Sequence, residues 1–358
     1  MTRGALGFWR SRTTFVLALA AAAVGLGSLW RFAWLMGTHG GGPFMLSYVA
    51  CLFLLAVPVL IAELVLGIHG RDAPPQALRH VADRALLSRG WRWLGVAFAL
   101  TALLLLGCQV VVAGWAIAFT QLLQGTAFSD ASARLVGEEF ARLLESPRRQ
   151  VLWQAGFMGL VGLVSAAGIR RGVGALAWLV VPALLTLLGV LVQFNLDHGD
   201  LQKARDFLFT VRPADISRDT LLAALGHALL TLGVGLGIGI TYGAYAPRRI
   251  PVARSVLAVA VFDMLVGLLA ALAIFPVVLA NNVVPNAGPG LLFVSLPYAF
   301  ANLPQGEPFG VLAMVVVLLA ILGMAVALLE PAVAALHRSL RLPRLLAVVL
   351  AAGAAWAL

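Results

Sequence analysis

Runs of about 20 apolar residues, the length that crosses a bilayer as a helix, recur from residue 13 to the end of this chain. About nine can be marked: 13–37, 43–68, 92–124, 150–168, 174–195, 219–246, 255–280, 308–336 and 345–358. Lipid offers nothing to a free backbone N–H or C=O, so a spanning segment must satisfy its own. Helices do this within one segment. A β-barrel would instead show short segments alternating apolar and polar residues. With 61% hydrophobic and 11% charged residues, the chain reads as an all-α polytopic membrane protein.

The formal net charge of +10 invites a nucleic-acid partner, but the positions of the charges argue against one. Arg3, Arg10 and Arg12 precede the first run, and Arg71, Arg79, Arg84, Arg89 and Arg92 lie between the second and third. Arg170 and Arg171 follow the fourth, Arg248, Arg249 and Arg254 the sixth, and Arg338, Arg341 and Arg344 the eighth. The intervening loops hold the acids: Asp130, Glu138, Glu139 and Glu145 in one, Asp197, Asp200, Asp206, Asp215 and Asp219 in another. Every second loop is basic, the positive-inside pattern. It predicts a multi-pass protein of the inner (plasma) membrane with a cytoplasmic N-terminus. The expected partners are the lipid bilayer and a small molecule, with no nucleic acid; a homo-oligomer stays open. Cys51 and Cys108 fall inside apolar runs and read as packed thiols. No phosphate-binding Gly-Lys-Ser/Thr loop, Cys/His metal cluster or soluble domain points to an enzyme.

Two of the runs are flawed as helices in the same way. "VGLG" stands at 24–27 in the first run and again at 234–237 in the sixth. Each glycine costs about 1 kcal/mol in a helix interior, so two such clusters need a reason. Close helix packing is one. The other is a pair of discontinuous helices meeting at mid-membrane, whose half-helix ends face a substrate carboxylate and a cation. First and sixth positions run in opposite directions, as inverted repeats require.

Around these breaks the residues are recognisable. "FWRSRTTFVLALAAAAVGLGSLWRF", then "GGGPF" and "VPVLIAELVLG", resemble the opening of the neurotransmitter:sodium symporter family, bacterial branch. The likeness continues at "VVAGWAI" (111–117), "GIRRGV", "ALGHALLTLGVGLGIGITYGAY", "AIFP" and "LLEP", covering essentially the whole chain. The resemblance implies a leucine-transporter-like inverted-repeat fold and sodium-coupled uptake of an amino acid. Residues 1–12 would form the cytoplasmic N-terminus and 13–195 the first five-helix repeat. An extracellular loop would occupy 196–218, and 219–358 a second repeat lacking its tenth helix.

By the same resemblance, Val24, Gly25, Leu26, Gly27, Gln109, Leu230, Gly233, Leu236 and Met324 would bind substrate, with Leu105 and Leu328 completing an aliphatic wall free of aromatics. The amides of Leu26 and Gly27 would hold its carboxylate. Na+ would be held at Ala21, Ala23, Val24, Ser28, Thr231, Asp263 and Ala320. Arg31 and His227 would form the outer gate, His227 reading also as a histidine bonded to a carbonyl or as a protonation switch. Glu63 would support the broken first helix by accepting its backbone N–H groups, and Glu330, before Pro331, would satisfy backbone near a kink.

Departures from the family pattern matter as much. The family tyrosine of the third span is Gln109, and its sodium-1 asparagine is Ser28. The hydroxyl pair of its second sodium site is replaced by Gly323 and Met324, which offer no hard side-chain oxygen. The inner-gate arginine is Leu6, the inner-gate acid falls near Arg338, and no acid stands ready for Arg31. One Na+ site is therefore expected, near Ala23, Ser28, Thr231 and Asp263. The alternatives are a non-transporting scaffold or truncated fragment, and a proton-coupled variant working through Asp263 or His227.

Overall fold

The structure, a computed structural model, describes residues 8–124, 132–211, 215–247, 250–280 and 290–358. Expectations resting on Arg3, Leu6, Asp130, Arg248 and Arg249 lie outside these. Ser11 starts α1 (Arg12–Ala23) by accepting the Thr14 N–H at 3.1 Å. The helix stops at Val24, which is extended, and restarts past Gly25 as a π-turn over Gly27–Arg31 that runs into α2 (Phe32–His39). The halves are bent by 55°. α3 (Gly41–Cys51) and α4 (Val57–Gly70) make one long helix, widened to a π-turn at Leu52–Ala56. Pro58 explains the widening, since it has no N–H for the ladder and its ring crowds the preceding turn.

Amphipathic α5 (Pro74–Arg84) leads to α6 (Arg92–Leu123). α7 (Ala133–Leu144), α8 (Pro147–Ala166) and α9 (Gly174–His198) follow. α10 (Leu201–Phe209) lies within the expected outer loop. Its N-cap, Asp200, accepts the Lys203 N–H at 2.9 Å, a bond that holds this carboxyl below the usual range. α11 (Arg218–Thr231) and α12 (Ile238–Ala244) are the halves of the sixth run. α13 (Val252–Ala280), α14 (Leu296–Ala301), α15 (Glu307–Ser339) and α16 (Arg344–Ala357) complete the order.

Each of the nine expected runs is helical. Among the described residues, five helices are long and apolar enough to cross a membrane: 41–70, 89–123, 169–198, 252–280 and 307–339. The bent pair at the N-terminus makes a sixth. α8 opens on Arg148 and Arg149, α11 and α12 are separate short helices, and α16 has 14 residues, so these fall short on length or composition.

α1 and α15 run through the interior. α1 packs on α9, α13 and α15, while α11 packs on α3 and α12 on α4. The last contact is backbone against backbone. A Cβ on Gly67 would strike the Ile240 carbonyl, and one on Gly243 the Leu64 carbonyl. Glycine on both helices is what permits this approach.

Candidate functional site

The two VGLG copies are not the same device. Gly233, Gly235 and Gly237 take φ of +68°, +78° and +70°, so the α11–α12 break is a left-handed path open only to glycine at low cost. Gly25 and Gly27 keep negative φ. Gly25 is needed for space, since a Cβ there would run into Met324 Sδ and lie 3.0 Å from Met324 Cβ. Gly27 faces open space within a cavity. Glu63 was expected to serve the first break. It serves the second: its Oε1 accepts the Gly235 N–H at 2.7 Å. α4 packs on α12, which carries the acid to the sixth segment rather than the first.

Between the breaks three segments bring polar groups together. Asp263 of α13 is 1% exposed. Its Oδ1 receives the Ser28 hydroxyl at 2.6 Å, and Thr231 Oγ1 lies 3.0 Å from both carboxylate oxygens. Ser28 and Thr231 are 3.1 Å apart. The fourth member is Tyr48, whose hydroxyl donates to Asp263 Oδ2 at 2.8 Å. Tyr48 escaped the sequence reading. The available signal was a tyrosine inside an apolar run, whose hydroxyl needs a buried partner. A carboxylate and two hydroxyls form a hard oxygen set suited to a small cation, provided the hydroxyl protons turn away.

A cavity of about 450 Å³ adjoins this cluster. Ala23, Leu26, Gly27, Leu105, Gln109, Leu230, Thr231 and Met324 line it. Val24, Gly25, Gly233, Leu236 and Leu328 do not. Nor is the wall free of aromatics, because Trp30 and Trp115 line it with Cys108, Val111 and Val112. Trp115 is fixed there by Gln150, which accepts its indole N–H at 3.0 Å, and by edge contacts to Phe140 and Phe293. Cys108 is an exposed thiol, not a packed one, and Cys51 is half-buried. Gln109 is 4% exposed; its Nε2 donates to Met324 Sδ at 3.1 Å, and its Oε1 has no partner.

Positions 323 and 324, where the expected hydroxyl pair is replaced, pack on the broken first segment. A Cβ on Gly323 would lie 2.7 Å from the Ala21 carbonyl oxygen, so no hydroxyl-bearing residue fits there. Met324 fills the space over Gly25. Ala320 lies fully buried one turn earlier in α15. The α1–α15 contact thus depends on a small residue facing a large one. Gly25→Ala is expected to destabilise the protein by about 1–3 kcal/mol through overpacking. Met324→Ala in the same chain should recover most of that, a compensation read by thermal unfolding of the two single variants and the double.

The gate residues depart further from expectation. Arg31 lines the cavity, and among the described residues no carboxylate lies within 4.0 Å of it. His227 is not held by a carbonyl at Nδ1, which is buried without a partner; its ring packs among Phe32, Phe44 and Tyr48. At the opposite side Arg338 does find an acid. It clasps Asp72 through two bonds of 2.7 and 2.8 Å, and Asp72 also accepts the Ala73 N–H. Glu330 does not satisfy backbone. It is fully buried, paired twice with Arg344 at 2.7 and 2.9 Å, and accepts from Tyr245 at 2.9 Å and Ser165 at 3.3 Å. Trp9 ties the N-terminal segment to the same region, its N–H reaching the Tyr245 carbonyl and its indole the Tyr242 carbonyl.

Comparison with known proteins identifies the family. The profile of the sodium:neurotransmitter symporter family matches residues 7–128 and 151–352. An uncharacterized sodium-dependent transporter of Bacillus subtilis (strain 168), YhdH, is 33% identical over 333 residues, covering 92% of this chain and 72% of that protein. A second uncharacterized sodium-dependent transporter, from Haemophilus influenzae, is 27% identical over 351 residues, covering 96% and 76%. Among solved structures, MhsT in complex with L-phenylalanine superposes with a TM-score of 0.90 at 29% identity, over 98% of this chain and 79% of that one. The two bacterial relatives are named as sodium-dependent transporters. The chain belongs to the sodium:neurotransmitter symporter family.

Proposed function

We propose that this protein carries out sodium-coupled symport of an amino acid with an apolar side chain, by alternating access around the two breaks. The observation that carries the reading is the meeting of Ser28, Thr231 and Asp263, from three separate segments, at 2.6–3.1 Å beside the cavity. One Na+ would be held there, with the Ala23 carbonyl at hand. The substrate carboxylate would sit on the amides of Leu26 and Gly27, at the start of the restarted first helix, where N–H groups and the helix dipole favour an anion. The apolar wall, with Trp30 and Trp115, suits a large hydrophobic side chain, and the phenylalanine bound to MhsT supports that size class.

A single coupling ion is expected, because Gly323 and Met324 offer a second one no hard side-chain oxygen. In this reading the N-terminus is cytoplasmic and the chain lies in the inner membrane. The halves 13–195 and 219–358 rock against each other, and the Asp72–Arg338 pair opens in the inward-facing state. Proteoliposomes with an inward sodium gradient should accumulate leucine or phenylalanine, and choline in place of sodium should stop the uptake. Uptake equal in the two salts would overturn the reading. The packing of Met324 on Gly25 favours a second reading, a scaffold whose first helix cannot move; that protein would bind substrate with sodium and show no uptake.

A further inference from the structure

α8 and α16 pack side by side at the edge of the molecule and leave a groove of about 370 Å³ between them. Among the described residues no charged side chain lines it. Its depth comes from glycine: a Cβ on Gly159 or Gly353 would meet nothing within 4 Å, and one on Gly162 only Val348 at 3.7 Å. Leu163 and Val349 on its rim are 71% and 58% exposed. A trough lined by apolar side chains and glycine matches a hydrocarbon chain. α16, with 14 residues, is about 21 Å long, enough to follow an acyl chain through one leaflet, whose hydrocarbon is about 15 Å deep.

The two ends of the groove differ chemically. Trp356 closes one, 12 residues and so about 18 Å along α16 from Arg344, the depth reached by the end of an acyl chain. At the other, Arg344 joins the two walls by donating from Nε to the Ser165 carbonyl at 2.9 Å, while its Nη1 and Nη2 pair with Glu330. Three more arginines adjoin that end. Arg170 and Arg171 follow Ala166 within five residues, and Arg341 precedes Leu345 by four. All three are exposed, and among the described residues none has a carboxylate within 4.0 Å. Arg170 lies over the Phe8 ring at 5.3 Å, which leaves its N–H edge available.

We propose that this groove binds an anionic phospholipid, with one acyl chain laid between α8 and α16 and the phosphate end among Arg170, Arg171 and Arg341. Basic pockets beside membrane helices select anionic headgroups because each arginine near the surface adds attraction that a zwitterionic lipid does not draw. The proposal needs only that the chain spans a membrane, so it stands apart from the transport reading.

Trp356 serves as the built-in reporter. Wild-type protein is reconstituted in phosphatidylcholine holding a low mole fraction of brominated phosphatidylglycerol or, separately, of brominated phosphatidylcholine. The quenching assigned to Trp356 is the difference between wild type and Trp356→Phe. Brominated phosphatidylglycerol should quench it about threefold more than the zwitterionic lipid. The Arg171→Gln/Arg341→Gln double variant should bring that ratio to about one, and Gly353→Leu should weaken quenching by both lipids. Equal quenching in wild type would overturn the proposal by showing ordinary boundary lipid. Absence of quenching would overturn it by showing that protein, a second copy or a further segment, fills the groove.

Discussion

Asp263→Ala is expected to abolish sodium-dependent ligand binding in a protein that still folds. The carboxylate is the only acid in the cluster with Ser28, Thr231 and Tyr48. A unit charge about 4 Å from a cation, at an effective dielectric constant near 20, contributes about 4 kcal/mol. That corresponds to a loss of cation affinity on the order of a thousandfold. Folding suffers less, because Ser28 and Thr231 already stand 3.1 Å apart and can bond to each other once the acceptor is gone. Asp263→Asn keeps an oxygen without the charge and should fall between wild type and Asp263→Ala. Tyr48→Phe removes one donor to the carboxylate and should weaken sodium binding far less than Asp263→Ala. Radioligand binding in sodium and in choline reads all three. Undiminished sodium dependence in Asp263→Ala would place the cation elsewhere.

Arg344→Gln should be the most destabilising of the charge substitutions. Glu330 is fully buried, and two of its four bonds come from Arg344. Removing one partner of such a pair leaves a desolvated charge, at a cost of about 3–5 kcal/mol. Removing both should cost much less, because no bare charge remains. Glu330→Gln/Arg344→Gln is therefore expected to unfold at a higher temperature than Arg344→Gln alone. The reverse order would mean that the pair acts through something other than mutual neutralisation. Asp72–Arg338 is the milder counterpart, since the side chain of Arg338 is 37% exposed and water can replace its partner.

Much of the site was legible in the residues because lipid is an unforgiving solvent. Two glycine clusters in apolar runs announced the breaks, and an acid at membrane depth, Asp263, pointed to the polar cluster it forms with Ser28 and Thr231. What stayed hidden was relative placement. Glu63 could be read as a support for a broken helix, but two copies of one motif were on offer, and only the packing of α4 on α12 decides between them. Met324 was visible as a lost hydroxyl. That its sulfur occupies the space over Gly25 depends on the rotation of α15 about its axis, which no spacing reports. Asp72 and Arg338 are 266 residues apart in sequence, and nothing local in either suggests the other. Trp30 and Trp115 were visible too, but their place in the cavity wall follows from how the π-turn at Gly27–Arg31 meets α6.

The central claim is that one sodium ion, bound at Ser28, Thr231 and Asp263, is coupled to ligand binding in the adjoining cavity. The most direct test is the dissociation constant of an apolar amino acid, leucine or phenylalanine, measured across a range of sodium concentrations at constant ionic strength. Linkage makes the slope of log Kd against log sodium concentration equal to minus the number of ions taken up with the ligand. The account predicts a slope of about minus one below saturation, falling to zero in Asp263→Ala. A slope near minus two would reveal a second ion, bound without side-chain oxygens from Gly323 and Met324, and a flat line in wild type would contradict sodium coupling itself.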